Sequence, residues 1–139
     1  MVVTTSPRPW LIDKSALVKL GSSPQRQEWR ERIERGLVRV TTMTLLAMAY
    51  SARSATDMAA ILHQQPLADM SVEHVTPGAE KRTLEVLEIL AAWGQHRAPS
   101  IPNLLIAAVA EQARLVVLHV DKGFELIADV TGQLTERLP

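Results

Sequence analysis

Leu115-Val116-Val117-Leu118-His119-Val120 is a six-residue run of leucine and β-branched residues, broken only by His119, without polar–apolar alternation. It is too short for a buried helix. A strand covered on both faces has this composition, as in a parallel sheet flanked by helices. Three further runs are equally brief: Trp10-Leu11-Ile12, Leu37 to Val40 and Val72 to Val75. Asp13 follows the first of these directly, and Asp121 follows the Leu115 run. In an open parallel sheet, ligands bind beyond the carboxyl ends of the strands, so both aspartates fall at the expected site edge.

Helix signals fill the intervals. Ser23-Pro24 opens a polar segment that Gly36 closes, and Thr76-Pro77 opens another that ends near Gly94, which is proline at a helix start and glycine after its end. In the second, Leu84, Leu87, Leu90 and Ala91 are expected on one face. Ser100-Ile101-Pro102 starts a third helix that reaches about Arg114. Thr41 or Thr42 caps a fourth, ending about Arg53, and a short successor covers Ala55 to Gln64. Strands alternating with helices predict a three-layer α/β/α fold with a central, mainly parallel sheet. With 139 residues and neither repeat nor linker, a single domain over 1–139 is expected.

Composition narrows the function classes. Apolar residues make up 47% and charged residues 22%, which fits a soluble globular chain. The absence of cysteine excludes disulfides and thiolate-ligated zinc. Fifteen basic and fifteen acidic residues cancel, so bulk charge points to no nucleic acid. Arg26, Arg30, Arg32, Arg35 and Arg39 form one local basic candidate, although interleaving with Glu28, Glu31 and Glu34 reads better as a solvated helix face. No stretch approaches the roughly twenty apolar residues of a membrane span, and Met1 to Pro9 reads as a frayed lead-in without a signal-peptide core. The expectation is a cytoplasmic protein with no membrane contact.

Taken singly, Asp13 and Asp121 read as helix caps, of the segments starting at Lys14 and carrying Phe124 to Ala128. Their matching topological positions favour a shared site. Asn103 lies in the first turn of its helix, on the side of Ile106, Ala107 and Ala110. It therefore points inward, either as a capping or turn group or as part of a ligand set. Arg97 can hold a phosphate at the site mouth or be a surface arginine. Ser15 and Thr44 can bind a metal's waters or cap helices. His119, on Asp121's strand face, reads as a satisfied core histidine, and Trp29 and Trp93 as core or interface residues. The segments Thr42 to Arg53 and Met58, Ile61, Leu62 carry enough apolar surface to suggest a homodimer or a partner's helix; ordinary core packing is the alternative.

Four segments in order, Leu11-Ile12-Asp13-Lys14-Ser15-Ala16, Thr44 to Arg53, Ile101-Pro102-Asn103 to Ala108, and His119-Val120-Asp121-Lys122-Gly123-Phe124, make the chain resemble a PIN domain of the VapC type. With the His96-Arg97-Ala98-Pro99 lead-in they span nearly the whole chain; each motif is weak and their joint order is specific. The resemblance implies a metal-dependent endoribonuclease toxin, acting on RNA of the tRNA or rRNA class and restrained by a cognate VapB-type antitoxin. It places the family's acids at Asp13, position 47, position 103 and Asp121, with a further acid at position 123. Here those three other positions hold Ala47, Asn103 and Gly123.

Magnesium and manganese take carboxylate and water oxygens, and such an ion polarises a phosphoryl oxygen and activates water. Falling from five acids to two leaves Asp13, Asp121 and the neutral Asn103 as the remaining ligand candidates. Strongly impaired cleavage is the expectation. Asparagine at 103 suits a deliberately inactivated toxin, glycine at 123 a decayed paralogue. The rival function is a non-catalytic module that sequesters antitoxin or RNA. A phosphotransfer enzyme with Asp13 as nucleophile lacks the second aspartate two residues on.

Overall fold

The computed structural model describes residues 8–139; residues 1–7 of the anticipated lead-in lie outside them. Five strands form one sheet in the order β3-β2-β1-β4-β5: β1 Trp10–Ile12, β2 Val38–Thr41, β3 Ser71–Glu73, β4 Val116–His119 and β5 Thr135–Arg137. Every pairing is parallel. Seven α-helices connect them: α1 Lys14–Leu17, α2 Arg26–Glu34, α3 Thr42–Tyr50, α4 Ala55–His63, α5 Pro77–Ala92, α6 Ile101–Ala113 and α7 Lys122–Thr131. The three-layer expectation holds, and the sheet is parallel throughout.

Burial on both faces explains the unalternating strand sequences. Leu11 of β1 pairs with Val117 of β4, and both enter the core layer under α5, α6 and α7 with Leu90, Leu104, Phe124 and Ile127. Their neighbours Ile12 and Leu118 face the opposite way, into a layer with Leu17, Trp29, Ile33, Val38 and Val40. Trp29 is wholly buried, edge-on to Trp10 at 5.0 Å between ring centroids. The Arg32 guanidinium lies over both rings, at 5.0 and 4.4 Å. That arginine of the basic segment thus serves packing, and Arg39 is paired with Glu73 at 2.6 Å.

Several local expectations change. β5 is an additional strand. α2 begins at Arg26 rather than at Pro24, and Gln25 at its cap position makes no side-chain capping bond. Ser23 instead accepts from the Gln25 N–H and donates to the Pro139 carbonyl, tying down the C-terminus. Thr41, not Thr42, caps α3, which ends at Tyr50. The buried face of α5 is Ala79, Thr83, Val86 and Leu90, while Leu84 is exposed. α4 has no fully buried residue and α3 only Thr44, leaving Leu46, Tyr50 and Met58 exposed. Trp93 is half exposed and so is not a core residue.

Trp29→Ala is expected to lower unfolding free energy by about 3–5 kcal/mol, since it empties a closed site. Trp93→Ala should stay within about 0.5 kcal/mol of the unaltered chain. Urea denaturation of the two variants checks the contrast.

Candidate functional site at the strand ends

The two aspartates meet because β1 and β4 are neighbours. Past the strand ends the ladder continues: the Asp13 N–H donates to the Leu118 carbonyl at 3.1 Å. The Val120 N–H then donates to Ser15 Oγ at 2.8 Å. Ser15 Oγ in turn lies 2.8 and 3.0 Å from the two carboxylate oxygens of Asp13 and donates to them. Asp13 also caps α1, its Oδ1 accepting from the Ala16 N–H at 3.3 Å. Capping and site-forming are therefore one geometry, and Ser15 is the brace between the two strands.

Asp121 is built the same way. Its backbone is extended, and its Oδ1 caps α7 by accepting from the Gly123 N–H at 2.8 Å. Its Oδ2 accepts from Asn103 Nδ2 at 2.9 Å. Asn103 occupies the third position of α6, inward as expected and almost fully buried, its own N–H held by Ser100 Oγ. His119 is buried, with Nδ1 accepting from the Asp121 N–H at 3.1 Å. With Nδ1 accepting, the proton of the neutral ring falls on Nε2.

Asp13, Ser15, Thr44, Ala47, Asn103 and Asp121 all line one cleft of about 390 Å³. The remaining wall is Lys14, Val18, Met43, Pro102 and Ile106; the sequence reading set Ile106 on Asn103's side and gave the other four no place in the site. Each belongs to, or directly follows, a helix that carries or adjoins a named site residue, so helical neighbourhood was the available signal. Gly123 sits at the rim. A Cβ there would lie 3.2 Å from Asp121 Oδ1 and 3.5 Å from Asn103 Nδ2, so a side chain fits if the carboxylate yields slightly. Arg97 is exposed and is not part of the cleft lining. A second hollow of about 300 Å³ lies by α2, lined by Arg26, Trp29, Arg30 and Asp69. The cleft at the carboxyl ends of the strands is the better site on topological grounds.

Burial dominates the electrostatics. It pushes the Asp13 carboxyl above its ordinary range, against smaller opposing effects of the Ser15 hydroxyl, the nearby N–H groups and His119. It holds His119 below the ordinary histidine value of 6.5, although Asp13, Glu125 and Asp121 pull the other way.

The donor set suits a divalent cation poorly. Both Asp121 oxygens and Asp13 Oδ1 accept a backbone or amide N–H, and Asp13 Oδ2 faces the Ser15 hydroxyl. Ala47 adds no ligand atom. Asn103 turns its nitrogen, which cannot ligate, toward Asp121. Among the described residues no group of three or more histidine, cysteine or acidic side chains can hold a metal ion.

A PIN domain family model matches residues 10–130. The chain is 54% identical to ribonuclease VapC2 of Mycobacterium tuberculosis, over 93% of this chain and 92% of that one. It is 38% identical to ribonuclease VapC51 of the same species, over 89% and 88%. Its fold is similar to that in the DNA-bound VapBC structure from Salmonella typhimurium, with a TM-score of 0.74 at 20% identity, covering 94% of this chain and 98% of that chain. The VapBC-5 structure from Mycobacterium tuberculosis gives 0.62 at 25% identity, covering 95% and 98%. No helix of the described residues is long and apolar enough to cross a membrane.

The buried neutral histidine sets an acid limb of stability. The unfolded chain protonates near 6.5 while folded His119 resists, so its contribution is complete above 6.5 and is lost as pH falls below it. Asp13 acts oppositely, costing stability as pH rises above 3.8. His119→Phe should be less stable at pH 7.5, having lost the bond to Asp121, yet decline less between pH 6.5 and 5. Urea midpoints across that range measure it.

Proposed function

The chain belongs to the PIN-domain family and, within it, to the VapC proteins, and from that premise we propose a ribonuclease toxin of a toxin–antitoxin pair whose RNA cleavage is strongly impaired. The carrying observation is the convergence of Asp13 and Asp121 on one cleft with Asn103 bonded beside them and no third acid. Relatives at 54% and 38% identity bear the name ribonuclease, which supports RNA as the substrate class. In this reading the work is cytoplasmic, on tRNA or rRNA, and positions 47, 103 and 123 are where acids have been replaced.

In an intact site a magnesium or manganese ion would polarise the scissile phosphate and activate water. Here the chain's own groups do less. Asp13 and Asp121 keep their places as caps, and the Lys14 ammonium at the cleft, 3.5 Å from the Ala47 carbonyl, offers a cation to a phosphate. Nothing on the wall formed by Val18, Met43, Ala47 and Ile106 accepts a proton from water.

A VapB-type antitoxin is the proposed partner, supported by fold neighbours that are VapBC assemblies. The exposed Leu46, Tyr50 and Met58 on α3 and α4 supply apolar surface for that partner or for a second copy in a homodimer. The saturated carboxylates favour one further reading, a non-catalytic module that still binds antitoxin or RNA.

Restoring acids separates the two. The variant carrying Ala47→Glu, Asn103→Asp and Gly123→Asp should cleave RNA with manganese on the order of 100-fold faster than the unaltered chain, a few kcal/mol of regained transition-state stabilisation. Its expression should also arrest a bacterial host that tolerates the unaltered chain. If the restored variant gains neither manganese affinity nor cleavage, the nuclease reading gives way to the binding module.

A further inference from the structure

We infer that Asn103 acts in this chain as a built-in replacement for a cation, so that the cleft keeps its shape without a divalent ion and takes none up. The inference rests on reading this cleft as the nuclease site, and concerns what has happened to its charge balance.

Two carboxylates face one buried-walled cleft, and such an arrangement needs positive charge or donors to hold it together. The donors are internal. Asp121 takes one N–H from Gly123 on Oδ1 and one from the Asn103 amide on Oδ2, at 2.8 and 2.9 Å. Asp13 takes the Ala16 N–H and the Ser15 hydroxyl. The amide is the only one of these donors that is neither backbone nor a strand brace. It is almost fully buried, and its backbone is held at the helix start, its own N–H being bonded to Ser100 Oγ. Charge-assisted bonds of this kind are strong.

An entering ion meets a double cost. To offer its oxygen, Asn103 must turn its amide over, which breaks the bond to Asp121. The ion must also shed part of its hydration shell beside Val18, Met43, Pro102 and Ile106, side chains that return no oxygen in exchange. Hard cations need about six oxygen ligands, and the chain offers two half-committed carboxylates. The amide wins because it is already in place.

The replacement has an inverse. With Asn103→Asp, a carboxylate oxygen would stand about 2.9 Å from Asp121 Oδ2 where the amide nitrogen now stands. Two carboxylates that close repel unless they move apart, share a proton or take a cation between them, and a divalent ion relieves the repulsion without giving up either charge.

Thermal unfolding is the test, because it reads the ion without reference to RNA. In EDTA the Asn103→Asp chain should melt about 5 °C below the unaltered chain, and 1 mM MnCl2 should restore most of that loss. The unaltered chain should move by less than about 1 °C between EDTA and 1 mM MnCl2. A site with a Kd of about 10 μM would shift it by several degrees. A manganese-induced rise in the unaltered chain equal to that of the variant overturns the inference, as does a variant equally stable in EDTA. Should Asn103→Asp fail to fold, manganese titration of the unaltered chain by electron paramagnetic resonance decides alone, one bound ion with Kd below about 1 mM being the contrary result. Failure of RNA cleavage to return in the restored triple variant would sink the nuclease reading and leave these melting temperatures untouched.

Discussion

Parallel pairing of β1 with β4 is the constraint on which the site depends. Parallel strands cannot be joined by hairpins, so each is followed by a helix and all carboxyl ends fall on one edge. The register Ile12 to Leu118 brings Asp13 and Asp121 to that edge from positions more than a hundred residues apart. Beyond the strands the pairing is carried on by a side chain, as Ser15 Oγ accepts from Val120 and donates to Asp13. The hydroxyl thereby couples the first helix to the last buried strand. Removing it would leave the Val120 N–H and the Asp13 carboxylate short of a partner at once, each worth roughly 1–3 kcal/mol when buried.

The same packing that assembles the site makes its charges expensive. Burial raises Asp13 and depresses His119, so the folded state resists a negative charge on one and a positive charge on the other. These tendencies oppose each other along the pH axis. They also favour internal neutral donors over free ions, because a preplaced amide needs no dehydration when the chain folds.

The central sheet was readable because a strand buried on both faces cannot alternate: Leu11 and Ile12, like Val117 and Leu118, serve opposite cores. β5 was not, since Thr135-Glu136-Arg137 is polar, short and at the sheet edge, where composition says little. On α5 the leucines misled. Thr83 is buried by donating to the Ala79 carbonyl, which frees Leu84 to lie outside. At the site, Asp13, Asp121, Asn103 and Ala47 line one cleft, whereas Arg97, readable either as a phosphate holder or as a surface arginine, is exposed and off that lining. A loop arginine has no periodicity to orient it. The apolar wall of Val18 and Met43 was hidden for the opposite reason, looking like ordinary core.

The identity of the two retained acids has a physical reason on the proposed reading. Asp13 and Asp121 are the two positions whose carboxylates cap helices, α1 and α7, and losing such a cap costs about 0.5–2 kcal/mol. The other three have no such duty. Ala47 lies mid-helix in α3, where alanine is the best helix former. Asn103 follows a helix start already capped by Ser100. Gly123 needs only its backbone N–H to serve Asp121. An acid at any of these three is useful to a metal but caps no helix, and without the ion one at 103 or 123 would add repulsion beside Asp121 against the modest gain of an acid in a first helical turn. Capping therefore gives Asp13 and Asp121 a duty in the fold that is independent of cleavage.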